Sequence, residues 1–344
     1  MNWFQRLTGF PESDYRSTQS RLRVDGRHLV SDAHDRRWGI GEFEMPSLAD
    51  LRQRVADTAA VAPSTGRRLS VSLVPGDVRA LHAQPAYAGG LFQVASQFNM
   101  LEMIHPDATP EDGVSGYEYD RTQGPACAMA AGAATVYRNY LVPVGDQQGQ
   151  TRTRQLDGLA DLGEALAGAL DTSVPELWAM RNGYALCTPQ GLDRIGRHLE
   201  AAGEAARDAL RARLRIGLHW EAEVTDAPGP ARPLVSQAFC SALPVAYSRI
   251  PGARWEKFAR LVLEAAYEAT LLAGLLNARR TGSRVVALTR LGGGAFGNEG
   301  AWIDDAMVRA FDRLASQDLD VRLVVWGAVP PELRRLERAY PAAG

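Results

Sequence analysis

The chain has 344 residues, and 46% of them are hydrophobic, so it can bury a large core as one elaborated domain or two. A formal net charge of −2 argues against a general nucleic-acid-binding surface, and no apolar run reaches the ~18 residues that span a membrane. The three cysteines are widely spaced and form no metal cluster and no credible disulfide framework, which predicts a reducing, cytoplasmic compartment.

Strands and helices alternate along most of the chain, which predicts an α/β fold with a sheet covered on both faces. In chain order the predicted elements are a helix over 47–60 capped by Ser47, strands over 69–74 and 91–98, a helix over 126–134, a strand over 136–144, helices over 156–170 and 189–213, strands over 213–224 and 233–245, a helix over 255–277, a strand over 285–288, a helix from Asn298 through Leu314, and a strand over 321–326.

The chain divides into three predicted parts. They are an N-terminal extension packed on the core over 1–60, a main domain over 61–330, and a C-terminal tail over 331–344. Within the main domain, residues 145–212 are mostly helical in pattern and are interpreted as an insertion. Residues 104–125 have no periodicity and many turn formers. Because such a long loop is usually functional or disordered, and this one carries Tyr117 and Tyr119, a functional role is favoured.

The most informative stretch is residues 283–300, SRVVALTRLGGGAFGNEG. A buried strand leads into four glycines and then into a helix for which Asn298 is a suitable N-cap. Glycine permits backbone conformations that other residues avoid, and it lets a ligand approach the main chain. Unpaired N–H groups and a helix N-terminus would then face one space, which predicts an anion site, most naturally for a phosphate or diphosphate. The alternative is a glycine-rich connection without a ligand.

The loop also matches the dinucleotide-binding fingerprint, as Gly292-x-Gly294-x-x-Gly297, but that reading is rejected. The Rossmann arrangement needs a second strand that ends in a carboxylate ~20 residues later, followed by further βα units. The strand over 321–326 runs instead into Gly-Ala-Val-Pro, and little chain follows it. No GxxxxGK[ST] sequence is present, so a P-loop is excluded as well.

Three segments together resemble the macrodomain family, whose members bind or hydrolyse ADP-ribose. Residues 74–78 (VPGDV) resemble the family's Gly-Asp-Ile segment, 91–99 the strand that leads to its ligand asparagine, and 292–298 (GGGAFGN) its second phosphate loop. GGGAFGN is similar to the loop of microbial poly(ADP-ribose) glycohydrolase-like members, and residues 111–128 resemble the arginine-specific, MavL-like branch of bacterial effectors. The resemblance implies a three-layer α/β/α mixed sheet and, for an effector, action in a host cytosol.

The sequence departs from that family in two places. The common first glycine loop is absent, since Asn99 is followed by Met-Leu-Glu. The adjacent catalytic glutamates of the glycohydrolases are absent as well, since Gln-Gly-Pro stands at 123–125. Catalytic residues are therefore sought among the carboxylates near the glycine loop and on residues 104–125.

Cleavage at the distal ribose passes through a cationic sugar, which a carboxylate can stabilise while it activates water or protonates the leaving group. The candidates are Asp112, Asp120 and Glu299. Asp112 and Asp120 flank a flexible aromatic segment, although Asp112 followed by glycine is also a common turn pair. Glu299 follows the loop directly, although the helix dipole alone would explain it.

The candidate ligand contacts are Asp77, Val78, Gln97, Asn99, Thr122, Gln123, Gly292, Gly293, Gly294, Ala295, Phe296, Gly297 and Asn298. By the resemblance, Asp77 accepts a hydrogen bond from the adenine amino group. Gln97 and Asn99 end a strand at the edge where open α/β sheets bind ligands. Phe296 is expected either to stack on a ribose or base, or to pack back onto the sheet. No metal and no cofactor is predicted.

The sequence therefore predicts an ADP-ribosyl hydrolase that removes ADP-ribose from a protein side chain, most readily arginine. Its partners would be ADP-ribose and the modified protein, with no nucleic acid and no membrane; the oligomeric state stays open. Two alternatives remain. One is a reader module that binds ADP-ribose without cleaving it, which the missing first loop favours. The other is a structural role for the helical insertion.

Overall fold

A seven-stranded mixed sheet forms the centre of the computed structural model, which describes residues 1–59, 67–230 and 232–342. The strands are β1 (Leu22–Asp25), β2 (His28–Ser31), β3 (Arg37–Gly39), β4 (Glu42–Glu44), β5 (Ser70–Pro75), β6 (Leu91–Ala95), β7 (Pro143–Val144), β8 (Gln147–Gln148), β9 (Trp178–Arg181), β10 (Tyr184–Cys187), β11 (Gly217–Glu223), β12 (Leu234–Cys240), β13 (Val285–Leu288) and β14 (Asp320–Val325). The helices are α1 (Trp3–Thr8), α2 (Tyr15–Ser20), α3 (Leu48–Ala59), α4 (Val78–His82), α5 (Gln123–Ala130), α6 (Gly132–Tyr140), α7 (Ala160–Ala169), α8 (Val174–Leu177), α9 (Pro189–Ala201), α10 (Glu204–Arg211), α11 (Gly252–Thr281), α12 (Gly300–Arg313) and α13 (Arg334–Ala339).

The order of strands in the central sheet is β4-β11-β12-β6-β13-β14-β5. From β12 to β5 neighbouring strands are parallel, whereas β11 is antiparallel to both β12 and β4. The carboxyl ends of the five parallel strands therefore lie along one edge of the sheet. Open α/β sheets bind their ligands at this edge.

The inner strands are buried on both faces, which gives the predicted α/β/α layering. Val286 and Leu288 of β13 pack in the core formed with α11 and α12. Val285 and Ala287 of the same strand belong to the opposite core, which includes Leu81 of α4. The predicted fold class, a three-layer mixed α/β sheet, is confirmed.

Helix α11 is the central helix of one layer. By length and composition alone it could cross a membrane, although the sequence contains no uninterrupted apolar run of ~18 residues. In the structure, 83% of its most apolar window is buried inside the protein, as in a core helix. Gly282 ends it in a left-handed conformation with a φ of 79°, which is common for glycine at a helix C-terminus.

Most predicted elements have counterparts in the structure, and β13 spans the predicted residues, 285–288. The strand predicted over 136–144 is wrong, because these residues lie mainly in α6. Ala133, Val136 and Tyr140 are buried at intervals of three and four residues, which is a helical rather than a strand spacing. Two predicted helices are also interrupted, one between α5 and α6 and the other between α9 and α10.

The insertion predicted to be mostly helical also contains a β-hairpin formed by β9 and β10. Its two-residue turn is Asn182-Gly183, and both residues have positive φ, 47° and 79°. Asn-Gly between two short strands is the strongest local indication of such a turn. That indication was present in the sequence and was missed.

Residues 1–39 form α1, α2 and the three-stranded sheet β1-β2-β3. Trp3 and Phe4 are buried in a core shared with Met129 of α5 and Val136 of α6. Strand β4 then joins the central sheet as its edge. The N-terminal residues thus pack against the layer that also contains α5 and α6.

An ion-pair cluster around Glu268 of α11 and Asp208 of α10 joins these two helices to α3 and α12. The Glu268 carboxylate is 3% exposed and lies 2.7 Å from Arg52, 2.9 Å from Arg309 and 3.2 Å from Arg313. We expect Glu268→Gln to lower the free energy of unfolding by about 2–4 kcal/mol, because it removes a buried anion from three guanidinium groups, which then retain Asp208 as their common partner. Urea unfolding monitored by circular dichroism measures the change.

The control for this prediction is Glu256→Gln on the same helix, where an exposed i,i+4 pair with Arg260 is expected to contribute below about 0.5 kcal/mol. Equal effects of the two substitutions would contradict the prediction.

The cluster loses stability in acid. Hydrogen bonding to Arg52 lowers the pKa of Asp208 to about 2. A lowered pKa means that this stabilisation is present above the ordinary carboxyl value and is lost as the pH falls toward 2.

Candidate functional site

A cleft of about 390 Å³ opens at the carboxyl edge of the central sheet. Its floor comes from residues that directly follow four strands: Ser96 and Gln97 after β6, Ala242 after β12, Thr289, Arg290 and Leu291 after β13, and Trp326 after β14. Residues 120–125 form one wall, and four residues of the glycine loop, which spans residues 292–298, also line the cleft. The cleft therefore combines two segments that the sequence had marked as functional.

Four residues of the glycine loop line this cleft, and their main-chain donors are not used inside the described parts of the protein. Three amides are used inside the loop: Gly293 donates to Arg290 at 3.1 Å, Gly297 to Gly294 at 3.1 Å and Asn298 to Gly292 at 2.9 Å. The loop residues that line the cleft are Gly292, Gly294, Ala295 and Phe296. Within the described parts of the chain, the N–H groups of these four residues donate no hydrogen bond. Unpaired main-chain donors at a cleft are suited to bind an anion.

Two loop glycines are required by the backbone. Gly292 and Gly297 have φ values of +75° and +71°, in the left-handed region that favours glycine. A Cβ on Gly292 would lie 2.4 Å from the Cβ of Ala242. The loop thus packs closely against the residues that follow β12.

Asn298 does not cap the following helix, so that prediction is wrong. Helix α12 begins at Gly300, and Glu299 occupies the N-cap position. Asn298 is buried instead, and its side-chain amide donates to the carbonyls of Leu243 (2.9 Å) and Gly292 (3.2 Å). It therefore connects the glycine loop to the residues that follow β12, and it does not line the cleft.

Phe296 lies at the edge of the cleft and packs on two tyrosines; its stacking on a ribose or base stays a prediction. Its ring packs on Tyr184 and Tyr247, with centroids 5.3 and 5.6 Å away, and it also lines the cleft. Tyr184 belongs to the missed hairpin strand β10, and Tyr247 follows β12. An aromatic wall built from three distant segments thus holds the loop in position.

Four of the remaining predicted residues line the cleft: Gln97, Asp120, Thr122 and Gln123. Gln123 uses its amide on the backbone of β6, accepting from the Ala95 N–H at 2.8 Å and donating to the Gln93 carbonyl at 2.8 Å. It fixes the start of α5 to the sheet. Asp120 accepts from the Thr122 N–H at 2.8 Å through one oxygen. Its second oxygen has no hydrogen-bond donor among the described residues.

The structure places the remaining predicted residues outside this cleft. Asp77 is exposed and caps α4 by accepting from the Arg79 N–H at 2.9 Å. Its neighbour Val78 is buried on α4. Asn99 is buried and donates to Gln155 at 2.8 Å.

Two of the three predicted catalytic carboxylates also lie elsewhere. Asp112 caps a short 3₁₀ helix by accepting from the Thr109 N–H at 2.8 Å, and it lines a second cavity. Glu299 is exposed beside Gly252, at the start of α11. Asp120 is the predicted carboxylate that the fold brings to the glycine loop.

Glu102 is a carboxylate of the cleft that sequence reasoning missed. It is 1% exposed, one of its oxygens lies 3.5 Å from the Arg138 guanidinium, and the other has no hydrogen-bond partner in the described chain. Burial raises the pKa of the Glu102 carboxyl to about 7, although the Arg138 charge acts in the opposite direction. A carboxylate flanked by apolar residues just after a predicted strand was the indication available in the sequence.

Arg290 and Trp326 are further cleft residues that the sequence analysis did not select. The Trp326 ring is 82% exposed at the end of β14, next to β5 and the Asp77 segment. Large exposed aromatic rings at a cleft are suited to stack on a planar ligand. Within the described residues no group of three or more His, Cys, Asp or Glu side chains is arranged to hold a metal ion.

Comparisons with known proteins give fold-level similarities. No protein-family model and no curated protein matches the sequence. The structure of poly(ADP-ribose) glycohydrolase from Thermomonospora curvata is 13% identical, with a TM-score of 0.47, and the match covers 94% of this chain and 94% of that chain. The Deinococcus radiodurans enzyme in complex with ADP-ribose is 10% identical, with a TM-score of 0.44, and the match covers 87% of this chain and 94% of that chain. At these values no residue role is transferred to this chain.

Proposed function

We propose that the chain is an ADP-ribosyl hydrolase that removes ADP-ribose from modified protein side chains, with arginine as the preferred linkage. One observation carries the proposal: four unpaired main-chain N–H groups of a glycine loop and the carboxylate of Asp120 line the same cleft. The amides suit a diphosphate, and the carboxylate suits the sugar carbon that becomes cationic during cleavage.

Asp120 is given the catalytic role in this proposal. Its free oxygen would orient a water molecule toward the anomeric carbon and stabilise the oxocarbenium-like transition state. A guanidinium leaving group is already cationic, so acid assistance contributes less than the placement of the water. The preference for arginine rests on this chemistry and on the resemblance of residues 111–128.

A reader module is the second candidate function. It is favoured by Gln123, which stands where the glycohydrolase family has a glutamate and which is committed to the backbone of β6. Glu102 is buried beneath the cleft surface, so Asp120 is left to act without a second accessible carboxylate among the described residues. Binding of ADP-ribose without turnover would support the reader over the hydrolase.

The test uses proteins that carry ADP-ribose on arginine, on serine or on glutamate. The proposal predicts release of ADP-ribose, detected by mass spectrometry, fastest from the arginine-linked substrate. Release only from serine or glutamate would keep the hydrolase and remove the arginine preference. No release from any of the three linkages, together with calorimetric binding of ADP-ribose, would replace the hydrolase with the reader.

Trp326 is expected to stack on the adenine base at the open end of the cleft. Trp326→Ala should weaken ADP-ribose binding about 10–100-fold, because stacking of a base on an aromatic side chain contributes ~1–3 kcal/mol. Isothermal calorimetry measures the change. Tyr119→Ala is the matched control, since Tyr119 is 84% exposed but does not line the cleft. Equal affinities of the two variants would contradict the stacking role.

A further inference from the structure

The Arg290 guanidinium lines the cleft without a hydrogen-bond acceptor. Its side chain is only 24% exposed, yet within the described chain it donates no hydrogen bond. One terminal nitrogen lies 3.2 Å from an oxygen of Asp304, but that oxygen has no partner by hydrogen-bond geometry. A guanidinium offers five N–H donors in a planar fork. A half-buried fork with unused donors at a cleft is suited to bind an additional acceptor.

The position of this side chain specifies the kind of acceptor. The Arg290 carbonyl accepts from the Gly293 N–H at 3.1 Å, so the residue forms the base of the glycine loop. A Cβ on Gly300 would lie 2.8 Å from an Arg290 terminal nitrogen, so the guanidinium lies over the first residue of α12. The cation, the unpaired loop amides and the start of a 14-residue helix therefore adjoin one another. All three favour negative charge.

Asp304 holds Arg290 in this position and is itself shared. Its side chain is 5% exposed in the first turns of α12, and its second oxygen accepts from Arg335 of α13 at 3.3 Å. Arg335 does not line the cleft. Two arginines thus contact one buried carboxylate, and only one of them is placed to reach a ligand.

We propose that Arg290 binds the diphosphate of the ligand, that Asp304 is its positioning residue, and that the cleft consequently selects diphosphates over nucleosides. The inference rests on the proposed function for the identity of the nucleotide sugar, but the anion site itself does not. The planar guanidinium of arginine can donate two parallel hydrogen bonds to phosphate oxygens, a geometry that the lysine ammonium does not offer. The second cleft arginine, Arg121, is exposed on the 120–125 wall and carries no comparable tether among the described residues.

The experiment compares calorimetric binding of ADP-ribose, ADP, adenosine and inorganic pyrophosphate by the wild type and by Arg290→Gln, Arg290→Lys and Arg335→Gln. We expect Arg290→Gln to weaken the binding of ADP-ribose, ADP and pyrophosphate about 10–100-fold, the range expected for loss of a charge-assisted hydrogen bond. The affinity for adenosine should change less than about threefold. Arg290→Lys should recover part of the loss. Arg335→Gln, the matched control, should bind all four ligands as the wild type does, and thermal unfolding verifies that each variant is folded.

The outcomes separate this inference from the proposed function. The inference is overturned, while the hydrolase proposal stands, if Arg290→Gln binds ADP-ribose and pyrophosphate as tightly as the wild type. The same holds if its affinity for adenosine falls as much as its affinity for the diphosphates. If the wild type binds pyrophosphate through Arg290 but does not bind ADP-ribose, the anion site stands and the proposed function fails. If the wild type binds neither ligand, both are overturned.

Discussion

Replacing Asp120 by Asn is expected to lower the rate of ADP-ribose release from arginine-linked protein by about 10²–10⁴-fold, the range for loss of a general acid–base group. The amide keeps the shape of the side chain and can still accept from the Thr122 N–H, the contact that measures 2.8 Å in the wild type. Asn removes the charge of the side chain but leaves the loop amides intact. Binding of ADP-ribose should therefore change little. Single-turnover release assays and calorimetry measure the two quantities separately.

Two other carboxylates serve as controls for this result. Glu299→Gln alters an exposed residue outside the cleft. Asp112→Asn alters a residue that accepts from the Thr109 N–H and lines the second cavity. Both variants should release ADP-ribose at a rate within about threefold of the wild type, since surface changes away from the site have small effects. A loss in either control that equals the loss in Asp120→Asn would assign the catalytic carboxylate elsewhere.

Replacing Gly292 by Ala is expected to remove most ADP-ribose binding. The left-handed φ of +75° and the approach of 2.4 Å to Ala242 force the loop to move, and the loop amides would lose their common orientation. We expect affinity to fall at least about tenfold, which is ~1.4 kcal/mol. Backbone strain should also lower the free energy of unfolding by about 1–3 kcal/mol. Calorimetry and urea unfolding measure the two effects.

Gly282→Ala separates strain from function. Gly282 has a similar φ of +79° at the end of α11, but a Cβ there meets nothing within 4 Å. This variant should lose stability and keep its affinity for ADP-ribose. If Gly292→Ala binds as well as Gly282→Ala does, the conformation of the loop is irrelevant to the ligand.

The features that sequence reading predicted well are local. Strand β13 is a short apolar run bounded by turn formers, and two of the glycines that follow it, Gly292 and Gly297, have backbone angles that few other residues adopt. Both properties are encoded in neighbouring residues. For the same reason the long helix α11 was predictable.

The composition of the cleft was less predictable, because the order of strands in the sheet assembles it. Trp326 and Arg290 reach one cleft since β13 and β14 are adjacent and parallel. Tyr184 comes from a hairpin more than a hundred residues before the loop residue on which it packs. Glu102 is separated from Asp120 by a loop whose path no local pattern describes. Conversely, Asp112 and Glu299 were selected for their proximity in sequence, and the fold turns both of them to capping positions.

A crystal structure of the protein with ADP-ribose tests the central claim most directly. The account predicts that the diphosphate oxygens accept hydrogen bonds from the amides of Gly294, Ala295 and Phe296 and from the Arg290 guanidinium, with the distal anomeric carbon beside Asp120. Density for ADP-ribose in another cavity, or a loop whose amides stay unoccupied while the ligand binds, would contradict it.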